Sequence, residues 1–177
     1  MFTSVVDILL LGALLQPSIA YLSSRAGVRR ITPLFCIAVL GIAMTLFYPL
    51  YGEVSRGIVL VPVEASVLGS TLEVDGLSVF IGLIAVLLGL LSAIFSFRYM
   101  EHDSGLGAYY TLLILMTAGM VGIAFAGDLF TLYVFWEITS VTSYALVAFR
   151  KDRWEAVEAG FKYLIMSASG SAILLLA

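Results

Sequence analysis

The chain has 177 residues, of which 62% are hydrophobic and only 12% are charged. Soluble domains are about 45–50% apolar and about 25% charged, so this chain has too few polar side chains to cover a soluble fold. Nine Lys and Arg residues against twelve Asp and Glu residues exclude a basic nucleic-acid-binding surface. With one cysteine and one histidine, the sequence predicts no disulfide framework, no metal site and no cofactor such as haem or an iron–sulfur cluster. The remaining class is an integral membrane protein.

Six apolar stretches are long enough, or nearly so, to cross a bilayer core of roughly 30 Å, which needs about 20 apolar residues in a helix. Backbone groups in lipid must be satisfied within their own segment, and these runs are too continuous for barrel strands, so helices are predicted. In chain order the helices cover residues about 4–22, 31–50, 77–97, 106–126, 129–149 and 156–177. The fold class is therefore all-α, with residues 1–177 forming one multi-pass domain in the cell membrane.

The charges of the loops predict the orientation, because cytoplasmic loops of membrane proteins are enriched in Lys and Arg. The first, third and fifth loops lie on one side of the predicted topology. They contain seven basic residues: Arg25, Arg29, Arg30, Arg98, Arg150, Lys151 and Arg153. The loops on the opposite side contain one basic residue, Arg56. The basic loops are therefore expected in the cytoplasm and the N-terminus outside.

The second loop, residues 51–76, is long for a connection within a helical bundle. Its residues 59–65 alternate apolar and other side chains, and residues 70–76 are also strand-like. This pattern is typical of a small external β-hairpin. An irregular loop is the alternative.

Glu137 is the one charged residue in the fifth predicted helix, and it lies two positions from the middle of that segment. A charged residue at this depth costs on the order of 2.5–3.5 kcal/mol, so it must face protein, water or a cation. Tyr133, Ser140 and Tyr144 share its helix face through spacings of three and four, which makes a polar stripe. A carboxyl there keeps its proton unless a movable cation stabilises the anion. The alternatives are a proton-transfer group and a neutral hydrogen-bonding contact between helices.

Two further polar residues, Lys162 and Asp128, are candidates for specific roles. Lys162 lies about six residues inside the sixth predicted helix, where it is either a second proton-transfer group or a side chain that extends to the interface beside Glu158. Asp128 follows Gly127 between the fourth and fifth helices, and it is expected to cap the fifth helix by accepting hydrogen bonds from unpaired N–H groups.

Several motifs resemble one known family. The longest motif is GDLFTLYVFWEI at residues 127–138. Four shorter motifs accompany it: LEVDGL at 72–77, TAGM at 117–120, SYAL at 143–146 and AGFKYL at 159–164. These resemble the antiporter-like subunits shared by Mrp-type multisubunit Na+/H+ antiporters, membrane-bound hydrogenases and respiratory complex I. The resemblance covers nearly the whole chain, as the N-terminal portion of such a subunit.

The resemblance implies that Glu137 pairs with a lysine of a seventh helix and gates proton movement at mid-membrane. It also places Lys162 on a lysine found in the sixth helix of many members. Since family members have about fourteen helices, it further implies that the remaining helices come from the same gene or from a partner subunit. The expected partners are therefore other membrane subunits, lipid, protons and Na+, without nucleic acid.

Three functional hypotheses follow from these residues. The first is one part of a proton-translocating or cation–proton antiporter subunit within a larger complex. The second is a structural membrane subunit that conducts nothing. The third is the pumping arm of a redox complex, such as a hydrogenase or an NADH dehydrogenase. The sequence contains no catalytic chemistry of its own, and it leaves open whether the complex is an oxidoreductase.

Overall fold

The computed structural model describes residues 3–28, 30–54, 72–100 and 105–176, which form six α-helices. In chain order they are α1 Thr3–Arg25, α2 Ile31–Val54, α3 Gly76–Tyr99, α4 Leu106–Ala124, α5 Leu129–Val147 and α6 Trp154–Leu176. The predicted all-α membrane fold is confirmed, and the described residues contain no strand. Most of the predicted hairpin, including residues 59–65, lies outside the described residues.

Five of these six helices are long and apolar enough to span a membrane, and α5 is the exception. The sequence of α5 explains this difference, because it contains Glu137 together with several Ser, Thr and Tyr residues. A helix of this composition is unfavourable against lipid on all sides. We therefore expect α5 to be surrounded by protein or water over much of its circumference.

The fourth helix is the centre of the bundle, where it packs against α1, α2, α3 and α5. Its buried residues, among them Ile114 and Phe125 at its C-cap, meet Leu40 of α2 and Val86 of α3 in one apolar core. In contrast, α6 packs only against α5 among the described helices. The α5–α6 pair is therefore an arm at the edge of the bundle, and most of α6 is exposed.

Local hydrogen bonds define where several helices begin and end. Asp75 caps α3 by accepting a 2.7 Å bond from the Ser78 backbone N–H, and this bond lowers the pKa of the Asp75 carboxyl. The first helix ends at Arg25, and Gly27 in the turn that follows has a φ of 70°. The backbone N–H groups of Gly27 and Val28 return to carbonyls of the last turn of α1, a Schellman-type ending that needs the left-handed conformation glycine adopts easily.

The segment before α3 is fixed to the turn between α4 and α5. The Glu73 N–H donates a 2.8 Å hydrogen bond to the Phe125 carbonyl, and Leu72 forms an isolated antiparallel bridge with Ala126. Val74, the next residue in the chain, is fully buried. These contacts bring the beginnings of α3 and α5 to the same end of the bundle, the end that the loop charges predict to be outside.

The orientation can be tested with single cysteines in a Cys36→Ala background. Glu73 and Arg153 are both exposed, and they lie at opposite ends of the bundle. A membrane-impermeant thiol reagent added outside intact cells should label Glu73→Cys and leave Arg153→Cys unlabelled until the membrane is opened. Outside labelling of Arg153→Cys would reverse the predicted topology.

Candidate functional site

Glu137 lies near the centre of α5, one residue before its midpoint. Its side chain is partly buried, and the Oε1 atom is inaccessible to solvent with no hydrogen-bond partner among the described residues. An unpaired buried polar atom costs about 1–3 kcal/mol, and more when it is charged. The carboxyl therefore requires a proton donor, a water molecule or a cation that the described part of the chain does not supply.

The face of α5 that meets α4 is tightly packed and does not carry Glu137. A Cβ placed on Gly122 of α4 would lie 2.1 Å from the Phe135 ring, and one on Gly119 would lie 2.3 Å from Thr139 Oγ1. Glycine at these two positions allows the helices to approach closely. Glu137 follows Phe135 by two residues, about 200° around the helix. It therefore points away from α4.

Two residues of the polar stripe, Ser140 and Tyr144, lie at the interface between α5 and α6. The ring of Tyr144 meets the ring of Tyr163 edge-on at a centroid distance of 6.5 Å, and Ser140 lines a cleft between the two helices. Tyr133 is partly buried one turn before Glu137. The helix that carries the carboxyl therefore also presents hydroxyl groups to α6.

Lys162 is not brought to Glu137. Its side chain is 72% exposed, and its Nζ lies 2.7 Å from Glu158 Oε1 one turn earlier on α6. Surface pairs of this kind contribute at most about 1 kcal/mol. Within the described residues no ion pair joins Lys162 to Glu137. This geometry matches the interpretation of Lys162 as a side chain that extends towards the interface.

Asp128 is at the N-cap of α5. Its Oδ1 accepts a 2.8 Å hydrogen bond from the Thr131 N–H, and its Oδ2 accepts a 2.6 Å bond from the Thr131 hydroxyl. Both bonds fix the start of the helix that carries Glu137. The geometry gives Asp128 a structural role.

The capping role predicts an effect on stability. Asp128→Ala should lower the stability of the complex by about 1 kcal/mol, and Asp128→Asn, which keeps an acceptor oxygen, should lower it by less. The measurement is the temperature of aggregation of the purified complex in mild detergent. Wild-type stability of Asp128→Ala would contradict the capping role.

A cleft of about 480 Å³ lies between parts of α5 and α6. Ser140 lines it from α5, while Tyr163, Ser167 and Ser171 line it from α6. Ser171 is only 4% exposed, and its Oγ has no hydrogen-bond partner among the described residues. The three α6 residues recur every four positions, so helical spacing alone could have revealed this second polar stripe.

The fold and this site define a class: a multi-pass membrane protein with an ionisable carboxyl buried halfway along a helix. Residues 126–177 match the family model described as the transmembrane region of NADH:quinone oxidoreductase and Mrp antiporter subunits. Residues 61–110 match the model for the N-terminus of chain 5 of NADH-ubiquinone oxidoreductase, complex I. The two matches together cover most of the motifs that carry the resemblance.

Individual proteins agree with these matches. The F(420)H(2) dehydrogenase subunit N of Methanosarcina mazei is 31% identical over 113 residues, which are 64% of this chain and 23% of that protein. The Na(+)/H(+) antiporter subunit A1 of Staphylococcus haemolyticus is 33% identical over 104 residues, 59% of this chain and 13% of that protein. Together, the two family models and these relatives support the antiporter-like family of multi-pass membrane subunits.

The fold agrees with a solved structure of an archaeal respiratory membrane complex, the membrane-bound sulfane sulfur reductase. The TM-score is 0.86 at 24% identity, over 99% of this chain and 35% of the compared chain. The chain thus spans about a third of that subunit and less than a quarter of the two sequence relatives. The similar relatives are subunits of membrane assemblies of several kinds.

Proposed function

We propose that this chain forms part of a proton-translocating or cation–proton antiporter subunit, in which Glu137 is the group that binds and releases the proton. The observation that carries the proposal is the buried Oε1 atom of Glu137, which has no partner among the described residues. A carboxyl buried permanently for packing alone would be expected to have a complete set of hydrogen bonds. An incomplete set of hydrogen bonds allows the carboxyl to bind a partner that is present for only part of the time.

The missing partner is proposed to be a cation from outside the described residues. An anionic carboxylate at mid-membrane is strongly disfavoured without a positive charge close by, and the same carboxyl is stable when it is protonated. Approach of a lysine would release the proton, and its withdrawal would favour rebinding. The family resemblance points to a lysine of a later helix for this role.

Lys162 is proposed as a second proton-transfer group with a smaller contribution. Its exposed ammonium group is paired with Glu158 on the same helix, in the half of α6 nearer the end predicted to face the cytoplasm. From there it would exchange protons between bulk water and the α5–α6 arm. A long flexible stem permits such movement.

The ions and partners are part of the same proposal. The relatives that match are subunits of a dehydrogenase and of a Na+/H+ antiporter. We infer that this chain assembles with other membrane subunits and carries protons, with Na+ as the exchanged ion if the complex is an antiporter. In a redox complex the same site would serve as the pumping arm, and the electron chemistry would be in other subunits.

A structural subunit that conducts nothing is the second candidate function. It is favoured by the absence of a cation beside Glu137 within the described residues. In this case a neutral Glu137 would donate a hydrogen bond to a neighbouring helix. Glutamine can make the same contact, and this difference separates the two candidates.

The test is proton flux in vesicles that contain the complete complex with either wild-type chain or Glu137→Gln. Native gel electrophoresis checks that both complexes assemble equally. Loss of flux in an assembled Glu137→Gln complex supports the proposal. Wild-type flux in that complex supports the structural subunit.

A further inference from the structure

Another cleft lies between α4 and α5, where α4 begins and α5 ends. Its volume is about 470 Å³, which is within the range of about 300–1,000 Å³ that ligand-binding clefts commonly have. Ala108 and Leu112 line it from α4, and Ala145 and Ala148 line it from α5. The cleft is therefore walled by apolar side chains, and it is separate from the carboxyl of Glu137.

Aromatic contacts fix the loop that closes this cleft after α5. The ring of Phe149 lines the cleft and meets the ring of Tyr109 edge-on at a centroid distance of 5.4 Å. The guanidinium of the next residue, Arg150, lies 5.6 Å from the centre of the Tyr99 ring. These contacts attach the loop to the ends of α3 and α4, so the residues that follow Arg150 have a defined position.

Two charged residues of opposite sign complete the lining. Lys151 and Asp152 both line the cleft, and both are exposed. Neither forms an ion pair within the part of the chain that the structure describes. The mouth of the cleft therefore offers one ammonium group and one carboxylate to a ligand.

The level of the cleft in the membrane indicates what kind of ligand can enter it. The loop charges predict that this end of the bundle faces the cytoplasm. Lys151 and Asp152 come four and five residues after the end of α5, which places them near the lipid headgroups. From there the apolar wall follows α4 from Ala108 to Leu112, about 6 Å along the helix axis. A molecule with a charged head and a hydrocarbon tail matches both parts of the cleft.

We propose that the α4–α5 cleft binds a phospholipid whose headgroup carries both a phosphate and a primary ammonium group, as in phosphatidylethanolamine. Lys151 pairs with the phosphate, Asp152 accepts a hydrogen bond from the ammonium group, and an acyl chain lies against the apolar wall. Hydrogen bonds between charged groups are stronger than those between neutral groups.

The pair of charges distinguishes this headgroup from other common ones. A cleft with basic residues alone would favour an anionic headgroup. The carboxylate of Asp152 disfavours such a lipid, because phosphatidylglycerol has no cation to place beside it. Phosphatidylcholine has a cation, but its three methyl groups leave no N–H to donate. Specificity of this kind is a difference between affinities.

The test uses phospholipids with a photoactivatable diazirine on the acyl chain, in phosphatidylcholine vesicles that contain the complete complex. The two probes are phosphatidylethanolamine and phosphatidylglycerol at equal mole fraction, and mass spectrometry identifies the cross-linked peptides. We expect the segments that line the cleft to be labelled at least about fivefold more by the phosphatidylethanolamine probe. Equal labelling, or stronger labelling by phosphatidylglycerol, would overturn the proposal. Labelling elsewhere with none in these segments would mean that another subunit covers the cleft, and it would also overturn the proposal.

Charge variants test the roles of the two headgroup contacts. Asp152→Asn should abolish the preference between the probes, and Lys151→Gln should lower labelling by both probes several-fold. Arg153→Gln is the matched control, because Arg153 is exposed on the same loop and does not line the cleft. Its labelling should equal that of the wild type. An equal loss in Arg153→Gln and Lys151→Gln would show attraction by general surface charge and contradict a specific site.

A steric variant tests where the acyl chain lies. Ala108 is exposed and lines the cleft, whereas Ala168 of α6 is exposed and does not. Ala108→Leu should narrow the cleft and reduce labelling of its segments several-fold, and Ala168→Leu should leave it unchanged. Native gels check that both complexes assemble. Wild-type labelling in assembled Ala108→Leu would contradict this position of the lipid.

Discussion

Proton flux through the complete complex should fall by about 100-fold or more when Glu137 is replaced by Gln, while assembly is unchanged. Glutamine keeps the shape of the side chain and can fill the same space at the centre of α5. It cannot bind and release a proton at the working pH. Loss of a positioned proton-transfer group typically costs about 10²–10⁴ in rate. The measurement is the decay of an imposed pH gradient in vesicles, normalised to the amount of assembled complex.

Two further variants act as controls for this result. Glu137→Asp keeps the titrating group but shortens its reach by one methylene, so partial flux is expected. Lys162→Ala should reduce flux less than Glu137→Gln, because Lys162 is exposed and paired with Glu158. A larger loss in Lys162→Ala than in Glu137→Gln would exchange the roles assigned to the two residues.

Assembly of the complex should be strongly impaired by Gly122→Ala. The added Cβ would lie 2.1 Å from Cδ1 and 2.3 Å from Cγ of Phe135, and the latter atom is close to the backbone of α5 and cannot move far. Overpacking of this kind costs about 1–3 kcal/mol, and here it also separates α4 from the helix that carries Glu137. The measurement is the yield of intact complex on a native gel, together with its temperature of aggregation.

A matched glycine and a second-site change test the cause of this effect. A Cβ added at Gly41 of α2 would have no neighbouring atom within 4 Å. The complex with Gly41→Ala should therefore assemble like the wild type. The double variant Gly122→Ala/Phe135→Ala removes the ring that causes the clash and should recover part of the lost yield. Full assembly of Gly122→Ala alone would contradict the close packing of α4 and α5.

The sequence predicts the helices well because the bilayer fixes both their length and their composition. All six observed helices begin and end within four residues of the predicted bounds. The buried position of Glu137 also follows from sequence, since its stripe with Ser140 and Tyr144 has helical spacing. What spacing cannot supply is the neighbour that each face meets, because this depends on how the helices cross.

Several features depend on such contacts and were not predictable. The close approach at Gly122 requires the ring of Phe135 from another helix. The pairing of Glu73 with Phe125 joins segments about fifty residues apart. The exposure of Lys162 depends on α6 packing only against α5 among the described helices. The α6 stripe was detectable in principle, although serines every four residues become informative only when the opposite wall of the cleft is known.

The central claim, that Glu137 changes its protonation state during transport, is tested most directly by difference infrared spectroscopy of the complete complex in membranes. The carbonyl band of a protonated carboxyl is compared before and after a proton gradient is imposed, in wild type and in Glu137→Gln. The account predicts a band that loses intensity when protons flow and is missing from the Glu137→Gln difference spectrum. Identical difference spectra for the two complexes, with protons flowing in both, would contradict it.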